Sequence, residues 1–127
     1  MSTQALNIIK VAMKEIGVEY SFGTYRKHPI KYPYFVGEYQ ETESFTEDGL
    51  QESTFLLTGF TRESWETLEQ AKEKIEAYFD RVGGKTVIAE NNSAVAIFYA
   101  SSLIVPTGDQ ELKSIQINLN VKEWKVK

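Results

Sequence analysis

Hydrophobic residues recur with the period of an α-helix in two parts of the chain. In the first, residues 3–16, the apolar positions are three or four residues apart, which places them on one face of a helix. These positions are Leu6, Ile9, Met13 and Ile16. Thr3 can cap the start of this helix, and Gly17 can end it because glycine readily adopts the left-handed conformation of a helix stop.

The second helical pattern occupies residues 61–84. A cap at Thr61 or Ser64 and a stop at Gly83 and Gly84 delimit it. Its apolar stripe consists of Leu68, Ala71, Ile75, Tyr78, Phe79 and Val82. Four of these residues are expected to bury against the last predicted strand, since both faces are continuously apolar. The expected core comprises Leu68, Ile75, Phe79 and Val82 against Ile115, Ile117, Leu119 and Val121.

Five shorter stretches have the alternation, or the β-branched and aromatic content, that is typical of strands. They are residues 18–25, 34–42, 51–61, 94–105 and 111–126. Prolines make residues 26–33 a loop, and Asp48-Gly49 favours a turn between the second and third strands. The predicted fold is therefore α+β, one domain spanning residues 1–127 in the order α-β-β-β-α-β-β. Two helices pack on an antiparallel sheet that carries a long acidic β-hairpin.

The third predicted strand is apolar on both of its faces. Phe55 and Leu57 point to one side, and Leu56 and Phe60 point to the other. Such a strand needs two covers, which predicts a helix on one side and favours another chain on the other.

Composition narrows the class of protein. A chain of 127 residues, 42% of them hydrophobic, is large enough for one core. A net charge of −4 gives no general attraction to nucleic acid or to an anionic membrane. No stretch approaches the roughly 18 apolar residues of a membrane span, and the N-terminal residues lack the pattern of a signal peptide. The absence of cysteine excludes disulfides and fits the cytosol, so we expect a soluble protein used inside a cell.

No candidate motif for catalysis or cofactor binding has the spacing that its chemistry requires. His28, the single histidine, stands beside Lys27 and not beside an orienting carboxylate, and without cysteine a zinc site is disfavoured. The sequence "TEDG" lacks the ligand spacing of a calcium loop. The sequence "VGGKTV" lacks the earlier glycine of a phosphate loop. We expect no catalytic residue, no metal and no cofactor.

Charge is segregated between two neighbouring segments. The basic loop, residues 26–31, carries Arg26, Lys27 and Lys31; the acidic stretch, residues 38–52, carries six acids and no Lys or Arg. The acids are Glu38, Glu41, Glu43, Glu47, Asp48 and Glu52. Carboxylates this plentiful can include a glycosidase pair, but on a polar hairpin they are more typical of a solvated surface.

The two segments suggest an interface between subunits. Our hypothesis pairs Arg26, Lys27 and Lys31 of one subunit with Glu43, Glu47 and Asp48 of the next, a heterologous contact that can close into a ring. Two other interpretations stay open: the segments are solvated separately, or they neutralise one another within a subunit. The tyrosines beside the basic loop could also stack on a single-stranded nucleic acid, although this patch is small on an acidic protein.

The succession of patterns resembles a known family over nearly the whole chain. It begins with "IGVEYSFGTY", a proline-bearing loop and "YPYFVGEYQE", continues with "ESTFLLTGFTRESWETLEQAKEKIEAYF", and closes with "AVAIFYASSLIV" and "LKSIQINLNVKEW". This arrangement is similar to the tail terminator, or tail-completion and head-tail joining, proteins of long-tailed bacteriophages and prophages. The resemblance is carried by patterns of helices and strands.

The resemblance implies a structural role without chemistry. Members assemble as a ring, typically a hexamer, on the last ring of the tail tube. They stop polymerisation, contact the major tail tube protein and the head-tail connector protein, and leave a lumen for DNA. It implies a location in the cytoplasm of the bacterial host during assembly and in the virion tail afterwards, with no membrane partner and no specific nucleic-acid binding. Two other classes remain: a small prophage-encoded regulatory module, such as an acidic decoy or inhibitor, and an α+β enzyme with a carboxylate site.

Overall fold

The computed structural model describes residues 1–41, 49–80, 84–88 and 93–124. Within these ranges, two helices and six strands follow one another. They are α1 (Thr3–Glu15), β1 (Glu19–Phe22), β2 (Tyr34–Glu41), β3 (Leu50–Thr61), α2 (Trp65–Tyr78), β4 (Lys85–Ile88), β5 (Ala94–Ile104) and β6 (Lys113–Trp124). The α+β class is confirmed. No helix in these ranges is long and apolar enough to cross a membrane.

The six strands form one sheet in the order β1-β2-β3-β6-β5-β4. Every neighbouring pair is antiparallel except β1 and β2, which are parallel. The prediction of a purely antiparallel sheet is therefore wrong at one edge. The cause is the proline-bearing segment 23–33, because it crosses back along the sheet before β2 starts, and a parallel pair requires such a crossover.

The structure also contains one strand that the predicted order omits. The short strand β4 pairs with residues 94–97 of β5 and forms the second edge of the sheet. Four residues directly after a helix stop give too short a pattern for a strand to be recognised from alternation. The remainder of β5, up to Ile104, extends beyond the end of β4.

The helix starts are set by serine side chains. The Ser2 hydroxyl caps α1 by accepting from the Ala5 N–H at 3.1 Å, so the expected cap at Thr3 is off by one residue. Ser64, one of two predicted caps, accepts from the Thr67 N–H at 3.3 Å. The second helix ends at Tyr78, before the predicted glycine stop, and Gly83 lies outside the described residues.

The core lies between the two helices and one face of the sheet, which we call the covered face. The predicted core is confirmed for seven side chains, all at most 2% exposed: Leu68, Ile75, Phe79, Ile115, Ile117, Leu119 and Val121. Val82, the eighth, lies outside the described residues. Helix α1 adds its own stripe to the same cluster, consisting of Ala5, Ile9, Ala12 and Met13.

Alternation along β3 separates the covered face from the opposite, open face. Phe55 and Leu57 are fully buried, whereas Leu56 and Phe60 are only half-buried. Within the described ranges no helix packs on the open face, because the buried residues of α1 and α2 both join the cluster on the covered side. The apolar side chains of the open face therefore stay partly exposed. The second cover that the sequence pattern predicts for β3 is not a helix of this subunit within the described ranges.

Candidate assembly surface

The basic loop is fixed to the sheet by stacked aromatic rings. The Tyr25 ring lies 4.2 Å from that of Tyr34, centroid to centroid, and Tyr34 lies 5.4 Å from Phe60 of β3. The Tyr25 hydroxyl also accepts from the Lys31 backbone N–H at 3.2 Å. Offset aromatic pairs of this kind add stability beyond the area they bury. The tyrosines therefore pack on one another and on the sheet, and the loop has a defined course.

The three cations of the basic loop have different surroundings. The Arg26 Nε donates to the Thr24 hydroxyl at 3.2 Å. The Lys27 ammonium lies 2.6 Å from the Glu19 carboxylate on β1, and this hydrogen bond raises the pKa of Lys27. Lys31 is exposed and lines a different concavity from Lys27. The structure therefore places Lys27 and Lys31 beside different concavities.

The acidic hairpin is confirmed over its paired part. β2 and β3 pair from Tyr34 opposite Phe60 to Glu41 opposite Ser53. The hypothesised interface residues Glu43, Glu47 and Asp48 lie outside the described residues.

Two other acids of the acidic stretch have cationic partners in the same subunit. The Glu41 carboxylate lies 2.6 Å from the Met1 ammonium, and the Glu52 carboxylate lies 3.8 Å from the Lys122 ammonium. Exposed ion pairs of this kind contribute little to stability, typically about 0–1 kcal/mol. Sequence inspection missed both pairs because the partners come from opposite ends of the chain.

Glu123 is a buried carboxylate that the sequence did not reveal. It lies on the covered side of β6, is 2% exposed, and accepts hydrogen bonds from the backbone N–H of Ser2, at 3.1 Å, and from the Ser2 hydroxyl. The positive end of the α1 dipole favours a negative charge at this position. These contacts give Glu123 a structural role in holding the start of α1 on the sheet.

The carboxyl group of Asp109 shows the opposite of what a general acid requires. The Glu111 backbone N–H and the Arg62 guanidinium, 3.1 Å away, lower the pKa of this exposed group, so it is ionised at neutral pH. A general acid needs a raised pKa near the working pH.

His28 is exposed in the basic loop. No group of three or more potential ligands in the described part of the chain could hold a metal ion.

A groove of about 660 Å³ lies between α1 and β1, which we call the α1–β1 groove. Its lining includes the largely apolar side chains of Leu6, Tyr20 and Phe22 and the two cations Lys10 and Lys27. Phe22 is 49% exposed although it stacks on Phe55 and Tyr39. Burial raises the pKa of the Tyr20 phenol to about 12, so the hydroxyl stays neutral. Sequence reasoning did not select this groove, because its residues converge only in the fold.

Comparisons with known proteins show a likeness to solved structures. No protein-family model and no curated protein matches the sequence. Seventeen chains of solved structures match. One belongs to a structure described as the virion of a native gene transfer agent particle: the TM-score is 0.64 and the identity 11%, over 96% of this chain and 90% of that chain. At this identity the likeness shows the fold. This chain therefore shares its fold, nearly end to end, with a protein of a virion.

Proposed function

We propose that this protein is a structural component of a phage or prophage-derived virion. In this role it closes as a ring on the end of the tail tube, stops tail polymerisation and joins the tail to the head. The observation that carries the proposal is the fold that this chain shares with a protein from a virion, because the likeness covers nearly all of both chains. The resemblance of the sequence to tail terminator proteins supports the same role.

The shape of the subunit supports repeated self-contact. One sheet face is packed by both helices, the other lacks a helical cover in the described ranges, and β1 and β4 are edge strands. Edges and open faces are where sheet proteins meet other chains. A contact between two different patches repeats around an axis and forms a ring when the rotation closes.

The proposed partners follow from this role. They are further copies of the same chain, with a hexamer as the expected ring, the major tail tube protein on one side and the head-tail connector protein on the other. The function needs no catalytic residue and no cofactor. The net charge of −4 suits a lumen through which DNA passes without being held.

Deletion of the gene in its phage or prophage tests the function. We expect electron micrographs to show tails of uncontrolled length, or heads and tails that do not join, and the intact gene supplied in trans should restore normal particles. Normal particles from the deletion would rule out the role.

A charge reversal tests how the ring closes. Replacing Arg26, Lys27 and Lys31 by Glu should block ring closure with the fold intact, because like charges at an interface cost several kcal/mol at each junction. A second triple reversal, of Glu43, Glu47 and Asp48 to Lys, should restore assembly in part. A reversal of the exposed Lys14 on α1, which lines neither the concavity beside Lys27 nor the one beside Lys31, is the control. Normal virions from the first triple variant would exclude contact through the basic loop.

A further inference from the structure

The α1–β1 groove combines two features that recognise an extended acidic segment. Its lining includes Lys10 and Lys27, and none of the described residues that line it is acidic. Lys27 forms an ion pair with Glu19, whereas Lys10 forms no ion pair within the described ranges. The groove is therefore cationic on a protein of net charge −4.

The second feature is an open strand edge beside an exposed aromatic ring. Among the strands of the described residues, β1 has β2 on one side and no neighbour on the other. Alternate backbone groups of an edge strand point away from the sheet and can pair with an added segment. Phe22, at the end of β1, is half exposed and offers an apolar contact to that segment.

We propose that the α1–β1 groove binds the acidic stretch, residues 38–52, of a second copy of this chain. The inference rests on the self-assembly contained in the proposed function and names its contact. The acidic stretch has the matching chemistry, since Glu43, Glu47 and Asp48 flank the aromatic Phe45 in the sequence. Carboxylates facing the lysines and an aromatic ring on Phe22 satisfy both features of the groove.

The proposal redraws the interface hypothesised from sequence. It adds Lys10 and Phe22, which no sequence pattern selected, and it keeps Lys27. It leaves out Lys31, which lines a smaller groove, of about 240 Å³, together with Glu19 and Glu63. Because that neighbouring groove carries both signs of charge, it has less attraction for an acidic segment.

Binding of a labelled peptide to the full-length chain tests the proposal without any virion. The probe is a fluorescent peptide of residues 38–52, and the readout is fluorescence anisotropy at low ionic strength. We expect saturable binding that Lys10→Glu weakens by about tenfold or more, since charge reversal at a contact costs at least the free energy of a tenfold change. Lys31→Glu is the matched control, because it makes the same charge change beside the other groove. Phe22→Ala should also weaken binding.

The outcomes separate the groove from the alternatives. No binding of the peptide to the wild-type chain, or equal weakening by Lys10→Glu and Lys31→Glu, would overturn the proposal. Circular dichroism checks that each variant is folded, and Lys10→Gln gives a milder second test. Failure of this binding alongside a tail defect in the gene deletion would reject the groove and keep the function. Peptide binding to the groove alongside normal particles from the gene deletion would keep the groove and reject the function.

Discussion

The covered face and the open face of the sheet are built from the same strands but differ in what they demand of their residues. On β3, Phe55 and Leu57 are fully buried, whereas Leu56 and Phe60, in the alternate positions, are half-buried. On β6 the covered side is aliphatic from Ile115 to Val121, and the open side carries amides such as Asn118, which donates to the Ser101 hydroxyl at 3.0 Å. The covered face is specified by packing within one subunit. The open face keeps a mixture of polar and apolar groups that suits contact with another chain.

The largest difference between the faces should appear on emptying the core. Ile75→Ala removes a fully buried side chain of α2, so we expect unfolding by denaturant to show a loss of about 2–5 kcal/mol. Leu103→Ala, at a position that is 50% exposed on the open side, should stay within about 0.5 kcal/mol. Equal losses at the two sites would mean that the faces are not distinguished in this way.

Substitution by alanine should distinguish the faces at two adjacent residues of β3. A Cβ at Gly59 would overlap the ring of Phe35, which lies across this glycine on the covered face. Gly59→Ala should therefore cost about 1–3 kcal/mol through overpacking. Thr58→Ala, on the open face, should cost less than about 1 kcal/mol. Thermal denaturation of both variants measures the contrast, and a neutral Gly59→Ala would show that the Phe35 ring can move aside.

The two helix caps offer a smaller comparison between a part-buried and an exposed site. Ser2→Ala removes the cap of α1 and one hydrogen bond to the buried Glu123, so we expect the free energy of unfolding to fall by about 2 kcal/mol. Ser64→Ala removes only an exposed cap, so we expect the free energy of unfolding to fall by about 1 kcal/mol. Urea unfolding of both proteins gives the difference. A larger loss at Ser64 would contradict the structural role of Glu123.

The smallest effect concerns the exposed pair at the end of the sheet. Arg62→Gln should raise the pKa of Asp109 only partly toward its ordinary value of 3.8, because the Glu111 backbone N–H still donates to the carboxylate. A carboxyl group whose pKa is lowered in the folded state stabilises the fold at pH values above its ordinary pKa. This contribution is lost as the pH falls through the lowered pKa. An NMR titration of the Asp109 carboxyl measures the shift, and an unchanged pKa would exclude an effect of Arg62.

Features encoded in local periodicity could be predicted from the sequence. The stripe of α2, the alternation of β6 and the β2–β3 hairpin each repeat over enough residues to show their period. The parallel direction of β1 depends on the path of segment 23–33, which no local pattern specifies. Strand β4 is too short to show a period.

Most of the candidate site was beyond the reach of sequence patterns. The basic loop and the acidic stretch were visible as runs of charge, but their members lie in different surroundings in the fold. Ser2 meets Glu123 across 121 positions, and Lys10 and Phe22 line one groove because α1 lies beside β1. Contacts between distant residues arise from tertiary packing, so a reading of neighbouring positions cannot find them.

The central pairing of β3 with β6 also governs when a new subunit can fold. Residues 50–61 pair with residues 113–124, so the middle of the sheet forms between parts of the chain that are synthesised far apart in time. Such long loops must close before their contacts can stabilise anything, which makes folding slow. While the ribosome still holds residues 113–124, β3 lacks its partner and the core lacks Ile117 and Leu119. Self-association through native surfaces must therefore follow the emergence of residues 113–124 from the ribosome.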